Sequence, residues 1–187
     1  MKSDQYVREY WCDNQICDGI IDYFKYADKF GETGDGKTSE GLDYSIKKST
    51  EVSFSKVWDG MFGDDIWKLH DYVDLVAGFS IDYIKHFGLP GKYGLKGLPQ
   101  VQYYRPNEGY FAPHIDISAT DMDRVVVYIT YLNDVPDGGT ILTNNDMTIT
   151  AVKGKTVLFP AGITHKHVGQ ISKKHEKYIC TGWVKML

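Results

Sequence analysis

The sequence is short of several things, and each shortage removes a class of protein. It holds no run of about 18 apolar residues, so no segment reads as a membrane span. Basic residues are not in excess: 21 Lys and Arg stand against 25 Asp and Glu, a net charge of -4. With that balance and no basic stripe, nucleic acid is not an expected partner. Only three cysteines occur, Cys12, Cys17 and Cys180. An odd count without a paired framework argues against a disulfide scaffold and for a reducing compartment. Cys12 and Cys17 have C-x4-C spacing but no second pair, which is a poor zinc site. The N-terminal stretch MKSDQYVREYW lacks the apolar segment of a signal peptide, so the cytoplasm is the expected location. Internal repeats and long low-complexity tracts are also missing.

What is present suits one globular domain. A chain of 187 residues buries a real core without staples. Its 14 Tyr, 8 Phe and 4 Trp suit β-rich cores and pockets. Residues 15–30 put Ile16, Ile20, Phe24 and Ala27 on one helical face, with Asp13 or Asn14 as the cap. Residues 31–41, GETGDGKTSEG, read as a surface loop and the stretch most prone to disorder. A second helix is expected over 64–87, capped by Asp64 and Asp65. Its apolar positions are Ile66, Leu69, Val73, Val76, Tyr83 and Phe87, and Gly88 and Pro90 end it.

After residue 97 the pattern changes. Runs rich in Val, Ile, Tyr and Thr at 98–104, 110–117, 125–132, 147–152, 154–159, 163–168 and 177–184 read as strands. Pro106-Asn107-Glu108-Gly109, Pro136-Asp137-Gly138-Gly139 and Lys153-Gly154 read as turns between them. Helices first and strands later give an α+β protein whose strands make a sandwich, jelly roll or barrel. One domain spans 1–187, with 1–97 as a mainly helical flank and 98–187 as the core.

Two short motifs carry chemistry. In YFAPHIDIS, His114 and Asp116 stand at i and i+2, which on a strand points both to one face. In GITHKHVG, His165 and His167 repeat that spacing. Two histidines and one carboxylate make the open face of non-haem Fe(II) oxygenases, which leaves metal positions for a cosubstrate and O2. Ten residues past His167 stands Lys177. A lysine pointing into an aromatic-rich barrel is costly unless it meets an anion, and a dicarboxylate supplies one.

From Leu98 to Trp183 the chain resembles the Fe(II)/2-oxoglutarate-dependent dioxygenases of the prolyl 4-hydroxylase type. The resemblance rests on QYYRPNEGYFAPHID, RVVVYITYLN, DGGT, KGKTVLFPAG, HVGQISKKHEKY and TGW, in the family's order. It implies a distorted double-stranded β-helix, or jelly roll, flanked by N-terminal helices. It implies His114, Asp116 and His167 as iron ligands, and Lys177, Tyr104 and Tyr131 as residues that hold 2-oxoglutarate. Arg124, Tyr110 and Trp183 match residues that line the channel for a peptide substrate. The implied cofactors are Fe(II), 2-oxoglutarate and O2, with ascorbate as a candidate reductant. The implied reaction is hydroxylation of an unactivated C–H bond, with a prolyl residue of a peptide or protein as the favoured target.

Departures from the family pattern leave alternatives open. The stretch from Tyr110 to His114 is one residue longer than the family's, and Gly138-Gly139-Thr140 lacks its Glu. Counting from Phe159 favours His165 as the distal ligand; counting back from Lys177 favours His167, the assignment preferred here. The target could instead be a free amino acid, a small metabolite or a nucleobase. A cupin-like metal module without catalysis would recruit His165 as a fourth ligand. The oligomeric state is not legible.

Overall fold

A computed structural model describes residues 6–38, 40–54 and 67–187. Along the chain the elements are β1 (Arg8–Trp11), α1 (Asn14–Lys29), β2 (Gly34–Asp35), β3 (Lys47–Lys48), β4 (Thr50–Ser53) and α2 (Leu69–Phe87). Then come β5 (Tyr93–Leu95), β6 (Gln100–Tyr104), β7 (Gly109–Tyr110), β8 (Arg124–Tyr131) and β9 (Val135–Leu142). The chain closes with β10 (Met147–Ala151), β11 (Lys155–Pro160), β12 (His167–Gly169) and β13 (Lys177–Met186).

The strands form two facing sheets. The larger runs β1-β11-β8-β13-β6-β4-β2, with β5 added beside β13. The smaller runs β10-β9-β12, and β3 pairs β7 as a short ribbon. This is the expected jelly roll. Strands β1 and β4, from the part of the chain read as mainly helical, pair β11 and β6 of the large sheet.

Side-chain alternation decides what each face of the large sheet does. On β8, Val126 and Tyr128 join the core under the helices, while Val127, Ile129 and Tyr131 join the core between the sheets. A strand buried on both faces reads as a continuous apolar run, which explains RVVVYITY. On β13, Tyr178, Cys180 and Val184 face the helices, whereas Lys177, Ile179, Thr181 and Trp183 line the cavity between the sheets.

Both helices bury the apolar faces the sequence suggests, but α2 begins at Leu69 rather than at 64, and its N-cap, Lys68, makes no side-chain hydrogen bond. Asp13 caps α1 by accepting from the Gln15 amide at 2.6 Å. Ile20, Tyr23, Phe24 and Ala27 are buried beneath it, and Ile16 is half-buried. Helix α2 buries Leu69, Tyr72, Val76 and Tyr83. It ends at Gly88, whose φ of 59° suits a residue without a Cβ. Asp64, Asp65 and Ile66 lie outside the described residues. The Tyr72 hydroxyl donates to Thr130 Oγ1 at 2.9 Å, tying α2 to the middle of the sheet. No helix among the described residues is long and apolar enough to cross a membrane. Cys12, Cys17 and Cys180 are all buried thiols.

Four local expectations change. Pro136-Asp137-Gly138-Gly139 is not a turn but part of β9, because its glycines let the strand lie close over neighbouring chain. The run 110–117 is not one strand: β7 stops at Tyr110 and the chain returns to the sheet only at His114. Residues 163–168 split into a 3-10 turn, Ile163–His165, and the start of β12. Within the loop 31–41, Gly34–Asp35 is ordered against β4.

Candidate metal and 2-oxoglutarate site

His114 and His167 meet through their backbones. Each amide donates to the other's carbonyl at 2.9 Å, an antiparallel pair that sets the imidazoles side by side, ring centroids 4.4 Å apart. Asp116 is held two residues on, its amide donating to the Ala161 carbonyl at 3.0 Å. One donor atom from each of His114, Asp116 and His167 lies within 4.8 Å of the others.

The donor chemistry suits a divalent metal. His114 Nδ1 donates to the Ala112 carbonyl at 3.2 Å and His167 Nδ1 to the His165 carbonyl at 3.1 Å. A carbonyl only accepts, so both Nδ1 atoms carry hydrogens and both Nε2 lone pairs stay available. Burial, with His167 beside it, pushes the His114 pKa down to about 4, so its ring is neutral at physiological pH. Asp116 Oδ2 is buried without a hydrogen-bond partner, 3.5 Å from His167 Nε2. An orphaned carboxylate oxygen between two imidazole lone pairs is what a bound cation satisfies.

His165 does not belong to this group. It sits in the 3-10 turn, not on the strand face shared with His167. Its ring packs 6.1 Å from Phe159 and 6.3 Å from Tyr6. It therefore offers no fourth ligand to close the site.

The triad opens into a cavity of about 420 Å3 between the sheets. At one end lies Lys177, 5% exposed, with Nζ donating to the Gln170 carbonyl at 3.0 Å and lying 5.0 Å from the Tyr104 ring. No carboxylate pairs with it among the described residues, and burial pushes its pKa down to about 8. Gly138 lies close beside it: a Cβ there would collide with Val135 and come within 3.3 Å of the Lys177 stem.

Tyr131 donates to Thr140 Oγ1 at 2.7 Å, which leaves the Thr140 hydroxyl proton for the cavity. Thr140 is thus brought into the site although the motif around it departs from the family. Tyr104 also lines the cavity, but its hydroxyl donates to Gln102 Oε1 at 2.6 Å.

The other end carries the residues assigned to substrate. Tyr110 stacks on His114 at 3.7 Å and 13°, so the extra residue between them does not separate the rings. The Arg124 guanidinium lies 3.6 Å over Trp183 and donates to the Asp116 carbonyl and to Asp121, both at 3.0 Å. Lys37, Thr38 and Lys47, from the part of the chain read as flank and loop, also line the cavity. Gln100, Gln102 and Thr181 carried a sequence signal, their even spacing to Tyr104 on β6 and to Lys177 on β13.

Residues 99–185, a little under half of the chain, match the family described as the 2OG-Fe(II) oxygenase superfamily. No curated protein matches the chain. Among solved structures it is similar to a Pseudomonas putida prolyl-4-hydroxylase, with TM-score 0.73 and 16% identity over 96% of this chain and 92% of that one. It is similar also to the viral collagen prolyl hydroxylase of Paramecium bursaria Chlorella virus-1, solved with 2OG: TM-score 0.69, 20% identity, 98% and 97% coverage. A Trichoplax adhaerens prolyl hydroxylase, solved with a peptide fragment of the hypoxia inducible factor oxygen degradation domain, gives 0.72, 15%, 97% and 84%. At these identities the likeness is one of fold.

Proposed function

We propose that the protein hydroxylates a prolyl residue of a peptide or protein. The observation that carries this is the cavity's polarity: an unpaired buried ammonium at one end, an orphaned carboxylate between two imidazoles in the middle, and a stacked Arg–Trp pair at the other. Structures of similar fold include one bound to 2OG and one bound to a peptide, which supports a peptide substrate. When bound, Fe(II) would activate O2 with electrons from 2-oxoglutarate, so that one oxygen atom goes to succinate, with loss of CO2, and the other to the C–H bond.

The chain's own residues do the positioning. His114, Asp116 and His167 would hold the metal, as two imidazoles and one carboxylate suit a divalent ion. Lys177 takes the far carboxylate of 2-oxoglutarate, and a charge-assisted bond there recovers part of the cost of burying the ammonium. The hydroxyl chain from Tyr131 through Thr140 offers that carboxylate a further donor, and Tyr104 packs beside it. Ile129, Val127 and Ile179 keep water from the middle of the cavity. Tyr110, Arg124 and Trp183 present two aromatic faces and a cation to the substrate; the flat apolar face of a proline ring suits them.

The test is mass spectrometry of proline-containing peptides incubated with the protein, Fe(II), 2-oxoglutarate and ascorbate. The expected result is oxygen added at proline in step with succinate release. Succinate release driven only by small metabolites or nucleobases would contradict the peptide assignment.

A further inference from the structure

A buried ion pair lies beside the substrate end and takes no part in the chemistry above. Lys47 on β3 pairs with Glu51 on β4, and each side chain is only 6% exposed. Ser49 donates to the same carboxylate at 2.7 Å. Such a pair adds little net stability compared with apolar side chains of similar size, so stability alone does not account for it.

Its contacts suggest a different use. Lys47 Nζ donates to the Lys37 carbonyl at 3.5 Å and lies 5.8 Å from the Tyr110 ring, which is the ring stacked on His114. Gly36 rests directly on the other partner: its amide donates to the Ser49 carbonyl at 2.9 Å, and a Cβ there would collide with the Glu51 carboxylate and the Ser49 hydroxyl. Only glycine lets the backbone approach so closely. From that seat the chain runs through Lys37 and Thr38, both on the cavity lining, and Thr38 exchanges backbone hydrogen bonds with Gly41 at 2.8 and 3.1 Å.

The geometry points to the Lys47–Glu51 pair as a latch that seats residues 36–38 against the cavity mouth, so that Lys37 and Thr38 form one wall of the substrate site. Lys47 and Glu51 are positioning residues, while Lys37 and Thr38 make the contact and help to set specificity. The proposal rests on the peptide assignment for its substrate, but the latch itself can be tested without any substrate.

The experiment compares wild type with the double variant Lys47→Met/Glu51→Met, which removes both charges and leaves none buried alone. Amide hydrogen exchange at Gly36, Thr38 and Gly41 should accelerate roughly tenfold or more while thermal stability holds or rises. KM for a proline-containing peptide should rise roughly tenfold, with kcat less affected. Unchanged exchange at those amides overturns the latch. If the double variant does not fold, Glu51→Asp, which keeps the charge but withdraws the carboxylate, must show the same faster exchange or the latch is wrong. Lys37→Ala, an exposed change, should raise the peptide KM without altering the melting temperature; an unchanged KM removes Lys37 from the wall. Faster exchange in a protein whose wild type accepts no proline peptide would uphold the latch and overturn the peptide assignment alone.

Discussion

The two faces of the large sheet are made by the same strands and do opposite work. Toward the helices, β6 and β13 present Val101, Tyr178, Cys180 and Val184. Toward the cavity, one residue out of step, they present Gln100, Gln102, Tyr104, Lys177 and Thr181. A single-residue shift along the strand separates a core that stabilises from a surface that binds. The helix face gains by being dry and close-packed. The cavity face keeps groups whose burial costs free energy, and these groups are where a ligand would act.

The largest expected effects break the cavity face at its metal. Asp116→Ala or His167→Ala should abolish Fe(II) retention and turnover, read by metal analysis and succinate release, while the melting temperature holds. His165→Ala should lower activity by less than about tenfold, because His167 is oriented by the His165 carbonyl, which the substitution leaves in place.

Next comes the ammonium. Lys177→Met should weaken 2-oxoglutarate binding about ten- to hundredfold in calorimetry. The same substitution should stabilise the ligand-free protein, by at most about 3 kcal/mol, since the cost of holding a lysine with its pKa pushed down to about 8 is removed. The sign follows from proton counting. Between pH of about 8 and the unperturbed lysine value of 10.5 the unfolded chain binds more protons than the folded one, so wild-type stability rises with pH across that window. Lys177→Met should lack this rise.

A smaller effect, confined to the other face, sharpens the contrast. Leu158→Ala on β11, in the core under the helices, should cost about 2–5 kcal/mol in denaturant unfolding and leave turnover per folded molecule unchanged. Smaller still, Arg124→Ala should lower peptide turnover more than it lowers uncoupled 2-oxoglutarate consumption. Equal loss of both would show that the hydrogen bond from Arg124 to the Asp116 carbonyl matters more than contact with substrate.

How much of this was legible depended on range. The helices and most core strands follow from local periodicity, as in RVVVYITY and the face of Ile20, Phe24 and Ala27. The residues His114, Asp116, His167 and Lys177 stood out because polar groups at fixed spacing interrupt apolar strands. Strands β1 and β4 carry short, polar segments whose pairing comes from β11 and β6, distant in sequence, and nothing local announces them. Gly138 and Gly139 look like a turn until Val135 and the Ile149 carbonyl are known to press on them. Lys47 was hidden for the same reason: its partner Glu51 is near in sequence, but the cavity it faces is built mostly by residues more than fifty positions away.

The central claim, that the cavity face is a paired metal and dicarboxylate site, is tested most directly by calorimetry. Titrating 2-oxoglutarate into metal-loaded protein near pH 8, in buffers of different ionisation enthalpy, reads affinity and proton uptake together. Wild type should bind with net proton uptake as Lys177 is recharged by its partner, and Lys177→Met should bind weakly with no uptake. Equal affinity and equal proton exchange in the two proteins would contradict the account.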